Sequence, residues 1–165
     1  MQTPFDLLIR NATVIDGTGA PRYSADIGIS GDRIARIGDL GASRGENEID
    51  LAGRIAAPGF IDAHTHDDRF MLSNPDMAPK VSQGVTTVIG GNCGISLAPM
   101  PRPIPDPVTP PLNLLDDAGQ WFRFASFGAY LDALRAQPPA TNCAMLVGHS
   151  TLRVATMSDL SRAAN

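Results

Sequence analysis

The first 58 residues contain short runs in which hydrophobic and polar positions alternate, and turn sequences separate these runs. In residues 25–30 the side chains of Ile27 and Ile29 fall on one face, and residues 33–38 alternate again after a Gly-Asp turn. The remaining runs are shorter and lie at residues 5–10, 12–15, 48–51 and 54–56. Strands at this spacing, without helical segments between them, predict a small β-sandwich or open barrel.

The pattern changes at Pro58-Gly59. Three apolar runs have the length and composition of buried strands, and they lie at residues 60–63, 84–91 and 143–147. Residues 77–82 predict a short helix. A longer helix is predicted to begin at the N-cap Ser126 and to end at Pro138-Pro139, because its apolar residues recur at helical spacing. Strands and helices in this order predict a parallel α/β sheet or barrel.

A proline-rich segment separates the second strand from the longer helix, with seven prolines between residues 99 and 111. Such a segment cannot join a sheet, so it is either a disordered linker or an ordered loop over one face of the domain. It follows closely after Cys93, and apolar residues come directly after it. We therefore expect it to lie across the face that carries Cys93. An exposed Trp121 without contacts to residues 64–68 would favour the linker.

Composition and charge narrow the class of protein. Apolar residues make up 43% and charged residues 18% of the 165 positions, as in a globular protein. The net charge of −4 and the lack of a basic run argue against a nucleic-acid partner. No apolar run approaches the ~20 residues of a membrane helix, and the first residues do not resemble a signal peptide. With only two cysteines, we expect a cytoplasmic chain without membrane partners.

His64 and His66 carry the sharpest chemical signal, because they directly follow an apolar strand. Side chains at positions i and i+2 of a strand project from the same face, so two imidazoles there converge on one point. This is the geometry that a Zn²⁺ site on a strand requires. The alternative is a pair of surface histidines in a turn. The apolar strand before them favours the metal site.

The two cysteines have different surroundings. Cys93 lies in the sequence Gly-Gly-Asn-Cys-Gly, directly after the second predicted strand, where sites in α/β proteins assemble. A thiolate there could bind zinc or act as a nucleophile, whereas a small buried apolar side chain is the alternative. Cys143 lies inside an apolar run, and we expect it to be an ordinary core residue.

Three further polar residues follow predicted strand ends. His149 comes after the third strand, and it could contact substrate or metal, or hydrogen-bond a loop; we retain it as a candidate substrate-binding residue. Asp67 and Asp68 follow the histidine pair and could orient an imidazole. The alternative, a solvated loop carboxylate, is expected for at least one of them. The chain contains no phosphate-binding Gly-rich motif and no serine-hydrolase motif.

Several motifs resemble those of a known superfamily. Asp-Gly-Thr-Gly at residues 16–19, Asp-Arg-Ile at residues 32–34 and the run Ala57–His66 are similar to the opening of the amidohydrolases. Three later segments resemble more narrowly the N-acyl-D-amino-acid deacylases, and they are residues 82–88, 91–99 and 146–153. The Asn-Cys-Gly sequence is the specific part, because its cysteine replaces the bridging lysine of hydantoinases and dihydroorotases.

The resemblance implies a metal-dependent hydrolase of non-peptide amide bonds that removes the acyl group from an N-acyl-D-amino acid, a small-molecule substrate. It implies one or two divalent metals, zinc first among them. His64 and His66 match the metal ligands of the first barrel strand, and Cys93 matches the thiolate ligand after the second. The remaining histidine ligands and the general-base Asp come from later strands of the family, so no catalytic residue is assigned within this chain.

The implied fold is α/β: a partial (β/α)8 barrel of about three strands at residues 59–165, preceded by part of a small β-sandwich at residues 1–58. A whole barrel takes ~200–250 residues, so we expect an incomplete N-terminal portion that is inactive by itself. The alternatives are a non-catalytic truncated fragment and a half-protein that needs a separately encoded C-terminal partner. A hydantoinase-like cyclic amidase is a third possibility, which the cysteine disfavours.

Overall fold

The computed structural model describes residues 5–163 and divides into two compact units, Met1–Pro58 and Gly59–Asn165. Each unit has its own cluster of buried apolar side chains. Among the described residues, no helix has both the length and the apolar character needed to cross a membrane.

The first unit contains one five-stranded mixed sheet. Its strands are β1 (Phe5–Val14), β2 (Tyr23–Ser30), β3 (Arg33–Gly38), β4 (Gly45–Asp50) and β5 (Ile55–Ala56). The order is β3-β2-β1-β4, and β5 pairs with the end of β1 beyond β4. Neighbours β1, β2 and β3 pair antiparallel, whereas β4 and β5 run parallel to β1.

The sequence predicts two separate strands at residues 5–10 and 12–15. In the structure both runs belong to the single strand β1. Asn11 lies between them with a φ of 53°, and the pairing register with β2 shifts there. The Asp26 carboxylate accepts a hydrogen bond from the Asn11 backbone N–H at 2.9 Å, and the Asn11 side chain donates to Asp50 at 3.0 Å. Because these bonds hold the extra residue in place, the strand continues through a bulge.

The second unit is built on a three-stranded parallel sheet in the order β6-β7-β8. These strands are β6 (Phe60–Asp62), β7 (Val85–Gly90) and β8 (Asn142–Met145). The helices are α1 (Phe70–Ser73), α2 (Ala78–Val81), α3 (Phe127–Ala136) and α4 (His149–Thr156), with short 3-10 turns at Asn92–Gly94 and Leu112–Leu114. Parallel strands connected through helical segments make this unit an α/β fold.

Helix α3 forms as its sequence predicts. The Ser126 hydroxyl accepts a hydrogen bond from the Ala129 backbone N–H at 3.1 Å, which caps the first turn. Tyr130 is fully buried and packs edge-on against Phe124. The helix ends before Pro138, which cannot continue it.

Two strand predictions need correction. Strand β6 was expected to be buried, but Phe60 is 65% and Ile61 is 64% exposed. It is a short strand at the edge of the sheet, and the side chains of a strand are buried only where another element packs over a face of the sheet. The third strand was expected to be buried and to reach residue 147, but none of its residues is buried, it ends at Met145, and Leu146 and Val147 are exposed. Helix α4 begins at His149, and its short amphipathic pattern was not identified in the sequence.

The proline-rich segment is part of the packed core of the second unit. Met100 and Val108 are buried, and the Met100 N–H donates to the Phe124 carbonyl at 2.7 Å. Trp121 is half-buried, and an ion pair joins Asp116 to Arg69, three residues after the histidine pair. These contacts rule out a free linker. The position of the segment across residues 64–68 stays a prediction.

Candidate metal centre

The site lies where the parallel strands of the second unit end. His64 and His66 follow β6, Cys93 follows β7, and His149 follows β8. Since carboxyl ends of neighbouring parallel strands meet at one edge of a sheet, these residues are brought to the same edge.

His64, His66 and Cys93 converge. One ligand atom from each residue lies within 4.8 Å of the others, which confirms the convergence expected from the sequence. His64 Nε2 is 3.1 Å from Cys93 Sγ, and the two imidazole rings are 5.7 Å apart at an angle of 78°. All three side chains are exposed, so an ion from solvent can reach them.

The backbone around Cys93 has an unusual conformation. Cys93 has a φ of 54°, and Gly91 and Gly94 beside it have φ values of 78° and 72°. Only glycine fits at position 91, because a β-carbon there would lie 2.0 Å from the Leu146 carbonyl oxygen. A cysteine in the left-handed region is uncommon, and here its backbone is next to the closely packed Gly91 while its Sγ lies 3.1 Å from His64 Nε2.

The Asn92 side chain ties the cysteine loop to the histidine turn. Its amide donates to the Ile89 carbonyl at 2.5 Å and to the Thr65 carbonyl at 3.4 Å. Thr65 is the residue between the two histidines, and its own N–H donates to Ile89. The segments that carry the three candidate ligands are therefore connected by the Asn92 side chain and by the Thr65 backbone hydrogen bond as well as through strand pairing.

Asp68 is a buried carboxyl group directly behind the site. Its Oδ2 accepts a hydrogen bond from the Gly91 N–H at 3.2 Å, and its Oδ1 has no hydrogen-bond partner among residues 5–163. Burial raises the pKa of Asp68 from its usual 3.8 to about 6, and the Gly91 hydrogen bond opposes that rise. Asp68 thus supports the backbone of the cysteine loop, which the sequence did not predict.

The expectation that Asp67 or Asp68 is a solvated loop carboxylate is wrong. Asp68 is fully buried, and Asp67 is bound to Lys80 and Thr65. Among the described residues, the hydrogen bonds of these carboxylates go to backbone, hydroxyl and ammonium donors rather than to an imidazole.

Lys80 is a residue of the site region that the sequence analysis missed. Its Nζ lies 2.6 Å from Asp62 Oδ2 and 2.9 Å from Asp67 Oδ2. The hydrogen bond from Lys80 lowers the pKa of Asp62, against the effect of burial. Burial lowers the pKa of Lys80, but its hydrogen bonds to the two carboxylates outweigh this, so the net pKa is raised. Both pKa shifts therefore favour the charged forms of Asp62 and Lys80.

His149 lies beside the cysteine loop without joining the three donors. It is the first residue of α4, and its Cβ is 3.8 Å from the position that a β-carbon of residue 94 would take. Its part in substrate binding stays a prediction. Cys143 is half-buried on β8 against the core, and burial raises the pKa of its thiol.

Comparisons with known proteins show the family to which the chain belongs. The sequence pattern of the amidohydrolase family matches residues 47–164. A D-aminoacylase of Alcaligenes xylosoxydans xylosoxydans is 56% identical over 161 residues, which are 98% of this chain and 32% of that protein. The chain thus spans about a third of the length of this curated relative.

Two solved structures are similar to the chain. A D-aminoacylase with a binuclear metal center is 59% identical, with a TM-score of 0.92 over 98% of this chain and 33% of that one. An N-acyl-D-glutamate deacylase from Bordetella bronchiseptica, solved with zinc and a phosphonate inhibitor, is 48% identical, with a TM-score of 0.85 over 95% of this chain and 32% of that one. Because the family pattern covers more than half of its residues, this chain belongs to the amidohydrolase family.

Proposed function

We propose that this chain supplies three metal ligands, His64, His66 and Cys93, to an N-acyl-D-amino-acid deacylase that uses one or two divalent ions, zinc first among them. The convergence of the three donor atoms within 4.8 Å is the observation that carries the proposal. The binuclear metal center and the bound zinc of the two similar structures support it.

The donor set suits zinc. Imidazole nitrogen and thiolate sulfur are the ligands that Zn²⁺ favours, whereas Mg²⁺ and Ca²⁺ favour oxygen. The distance between His64 Nε2 and Cys93 Sγ is already 3.1 Å, so binding of one ion by both residues requires only small side-chain movements. Exposure of all three residues leaves room for an ion and for further ligands.

The proposed architecture is a (β/α)8 barrel joined to a β-sandwich. The sheet order β6-β7-β8 follows the sequence, as neighbouring strands of such a barrel do. The five-stranded sheet of the first unit would be part of the sandwich. Since the chain spans about a third of its relatives' length, most of the barrel would come from sequence that the relatives have in addition.

In the proposed reaction, this chain binds the ion and holds it at the carboxyl ends of the strands. A divalent ion held there supplies Lewis-acid activation of the amide carbonyl and of a water molecule. The general base is not assigned to the carboxylates beside the donors, because Lys80 is paired with Asp62 and Asp67, and Asp68 is fully buried, away from the solvent-exposed donors. We therefore propose that a carboxylate outside this chain removes the proton from water and returns one to the leaving amine.

Metal binding by the 165-residue chain tests the ligand assignment. Co²⁺, which substitutes for Zn²⁺ and has visible absorption, is expected to bind with a thiolate-to-metal charge-transfer band. Cys93→Ser should remove that band. His64→Ala removes a ligand and should weaken binding at least as much as the ~10-fold that the loss of an outer-shell partner costs. Cys143→Ser is the matched control, because that thiol lies against the core. A band that survives Cys93→Ser contradicts the assignment.

A chimera tests the reaction. This chain replaces the matching segment of the Alcaligenes D-aminoacylase, with which it is 56% identical. The chimera should release free amino acid from N-acetyl-D-methionine and not from its L-enantiomer, and Cys93→Ser in the chimera should abolish the release. A folded chimera that binds metal without hydrolysing any N-acyl-D-amino acid argues against the proposal.

A further inference from the structure

The charged cluster beside the candidate metal centre has Lys80 at its middle. Lys80 belongs to the short helix α2, whereas the two histidines follow strand β6. We propose that Lys80 is a positioning residue that holds His64 and His66 in their converging arrangement by bridging the side chains on either side of them. This inference deepens the proposed function and rests on it, because it concerns the same metal centre.

The contacts of Lys80 match the donors that it has. An ammonium group carries three N–H bonds, and Lys80 Nζ has three oxygen neighbours: Asp62 Oδ2 at 2.6 Å, Asp67 Oδ2 at 2.9 Å and Thr65 Oγ1 at 3.2 Å. In the sequence, His64 lies between Asp62 and Thr65, and His66 lies between Thr65 and Asp67. One cation therefore fixes the residues around each histidine.

The cluster continues to the backbone of the histidines. Asp62 accepts a hydrogen bond from the His64 N–H through its other oxygen, Oδ1, at 3.3 Å. Thr65 donates its hydroxyl hydrogen to Asp67 Oδ2 at 2.6 Å while it accepts from Lys80. A displacement of Lys80 would thus release both the carboxylate that holds His64 and the hydroxyl next to His66.

Charge gives Lys80 a second effect on the site. Asp62 and Asp67 share one ammonium group, and all three side chains are mostly shielded from solvent. Without the cation the two carboxylates repel each other, and carboxylate oxygen is itself a ligand for zinc-like ions. Lys80 therefore prevents the carboxylate oxygens of Asp62 and Asp67 from binding the ion, and it also maintains the conformation of residues 62–67.

Co²⁺ titration of the 165-residue chain tests this role, with affinity and absorption spectrum as readouts. We expect Lys80→Met to weaken Co²⁺ binding by about tenfold or more and to change the visible bands, because a freed carboxylate alters the coordination. Lys80→Arg keeps the cation and should recover part of the affinity. Arg135→Met is the matched control: it removes a cation paired with Asp132 on the exposed side of α3 and should change neither readout.

The outcomes separate this inference from the proposed function. If the unaltered chain shows no Cys93-dependent band, the proposed function fails and this inference fails with it. If the unaltered chain shows that band, and Lys80→Met retains both its affinity and its spectrum, only the inference is overturned. Should circular dichroism show that Lys80→Met does not fold, Asp67→Asn takes its place. That variant removes one charged acceptor and should weaken Co²⁺ binding several-fold; unchanged binding would overturn the inference.

Discussion

At the residue scale, the two glycines at the ends of strand β7 allow the cost of backbone strain to be distinguished from the cost of a steric clash. Gly84 precedes the strand with a φ of 79°, and Gly91 follows it with a φ of 78°. A β-carbon on Gly84 would lie 3.4 Å from the Phe60 ring, an ordinary contact, whereas one on Gly91 would lie 2.0 Å from the Leu146 carbonyl oxygen. A β-carbon added to the same left-handed conformation thus meets an ordinary side-chain contact at residue 84 and a backbone clash at residue 91.

Alanine substitutions at these two positions should therefore differ. Gly84→Ala is expected to cost about 1–2 kcal/mol of unfolding free energy, from the left-handed backbone alone. Gly91→Ala should cost a further ~1–3 kcal/mol from overpacking and should weaken Co²⁺ binding, because Cys93 lies two residues further on. Urea denaturation and Co²⁺ titration measure both effects. Equal costs for the two variants would show that residue 146 moves aside freely.

At the element scale, Arg10 joins three strands of the first unit's sheet. It lies on β1 and forms ion pairs with Asp26 of β2 at 3.2 Å and with Glu48 of β4 at 3.1 Å. Its guanidinium also donates to the carbonyls of Leu40 and Ser43. The Asn11 backbone hydrogen bond lowers the pKa of Asp26, with Arg10 adding to the effect against burial. The ionised carboxylate is therefore the form that supports the sheet.

This sheet should consequently lose stability in acid. A carboxyl group whose pKa is lowered by folding contributes stability above its unfolded pKa, and this contribution disappears as the pH falls through the folded pKa. Asp26→Asn is expected to destabilise the sheet by about 1–2 kcal/mol at pH 7, and the difference from the unaltered chain should shrink below the usual pKa of 3.8. Urea unfolding followed by NMR signals of β1 and β2 measures it.

Asp32→Asn serves as the control for the acid experiment, because its side chain is 90% exposed and its ion pair with Arg33 is solvated. It should unfold like the unaltered chain at every pH. A difference between Asp26→Asn and the unaltered chain that persists unchanged at pH 3 would show that the hydrogen-bonding shape, rather than the charge, of Asp26 is what matters.

Helix α3 gives a second prediction at this scale. Ser126→Ala removes the only side-chain cap seen at a helix start among the described residues, and it should cost about 1 kcal/mol. Ser126→Asp keeps an acceptor for the Ala129 N–H and should remain close to the unaltered chain. Fluorescence of Trp121, which packs against the same core, follows the urea transition. A Ser126→Ala variant as stable as the unaltered chain would assign the helix start to packing alone.

At the scale of the whole molecule, metal binding and turnover should separate. The three donors lie in this chain, but of the described carboxylates around them, Asp62 and Asp67 are paired with Lys80, and Asp68 is fully buried. Positioned acid–base catalysis contributes ~10²–10⁴-fold. The 165-residue chain is therefore expected to bind Co²⁺ and to release no amino acid from N-acetyl-D-methionine, with the chimera as positive control. Turnover by the chain that disappears in Cys93→Ser would contradict this expectation.

The sequence by itself predicted what depends on neighbours along the chain. Alternation predicted the strands of the first unit, and helical spacing with Ser126 predicted α3. The i, i+2 spacing of His64 and His66 predicted that their imidazoles converge. Cys93 could be predicted as a third candidate ligand because the Asn-Cys-Gly motif directly follows the second predicted strand. These features are local, since a strand or a helix cap is set by a few consecutive residues.

Only the tertiary structure decided the surroundings of His64, His66 and Cys93. Lys80 lies on helix α2 and forms ion pairs with Asp62 and Asp67, which lie elsewhere in the sequence. Asp68 is buried and bound to the Gly91 N–H. The sequence predicts a loop position for Asp67 and Asp68 alike, so it does not distinguish the buried carboxyl group from its neighbour. The exposure of the β6 side chains likewise depends on what packs over the faces of the sheet. Contacts between segments distant in sequence leave no periodic pattern in either segment, so burial, charge pairing and pKa at this site follow from packing and could not be predicted from the sequence.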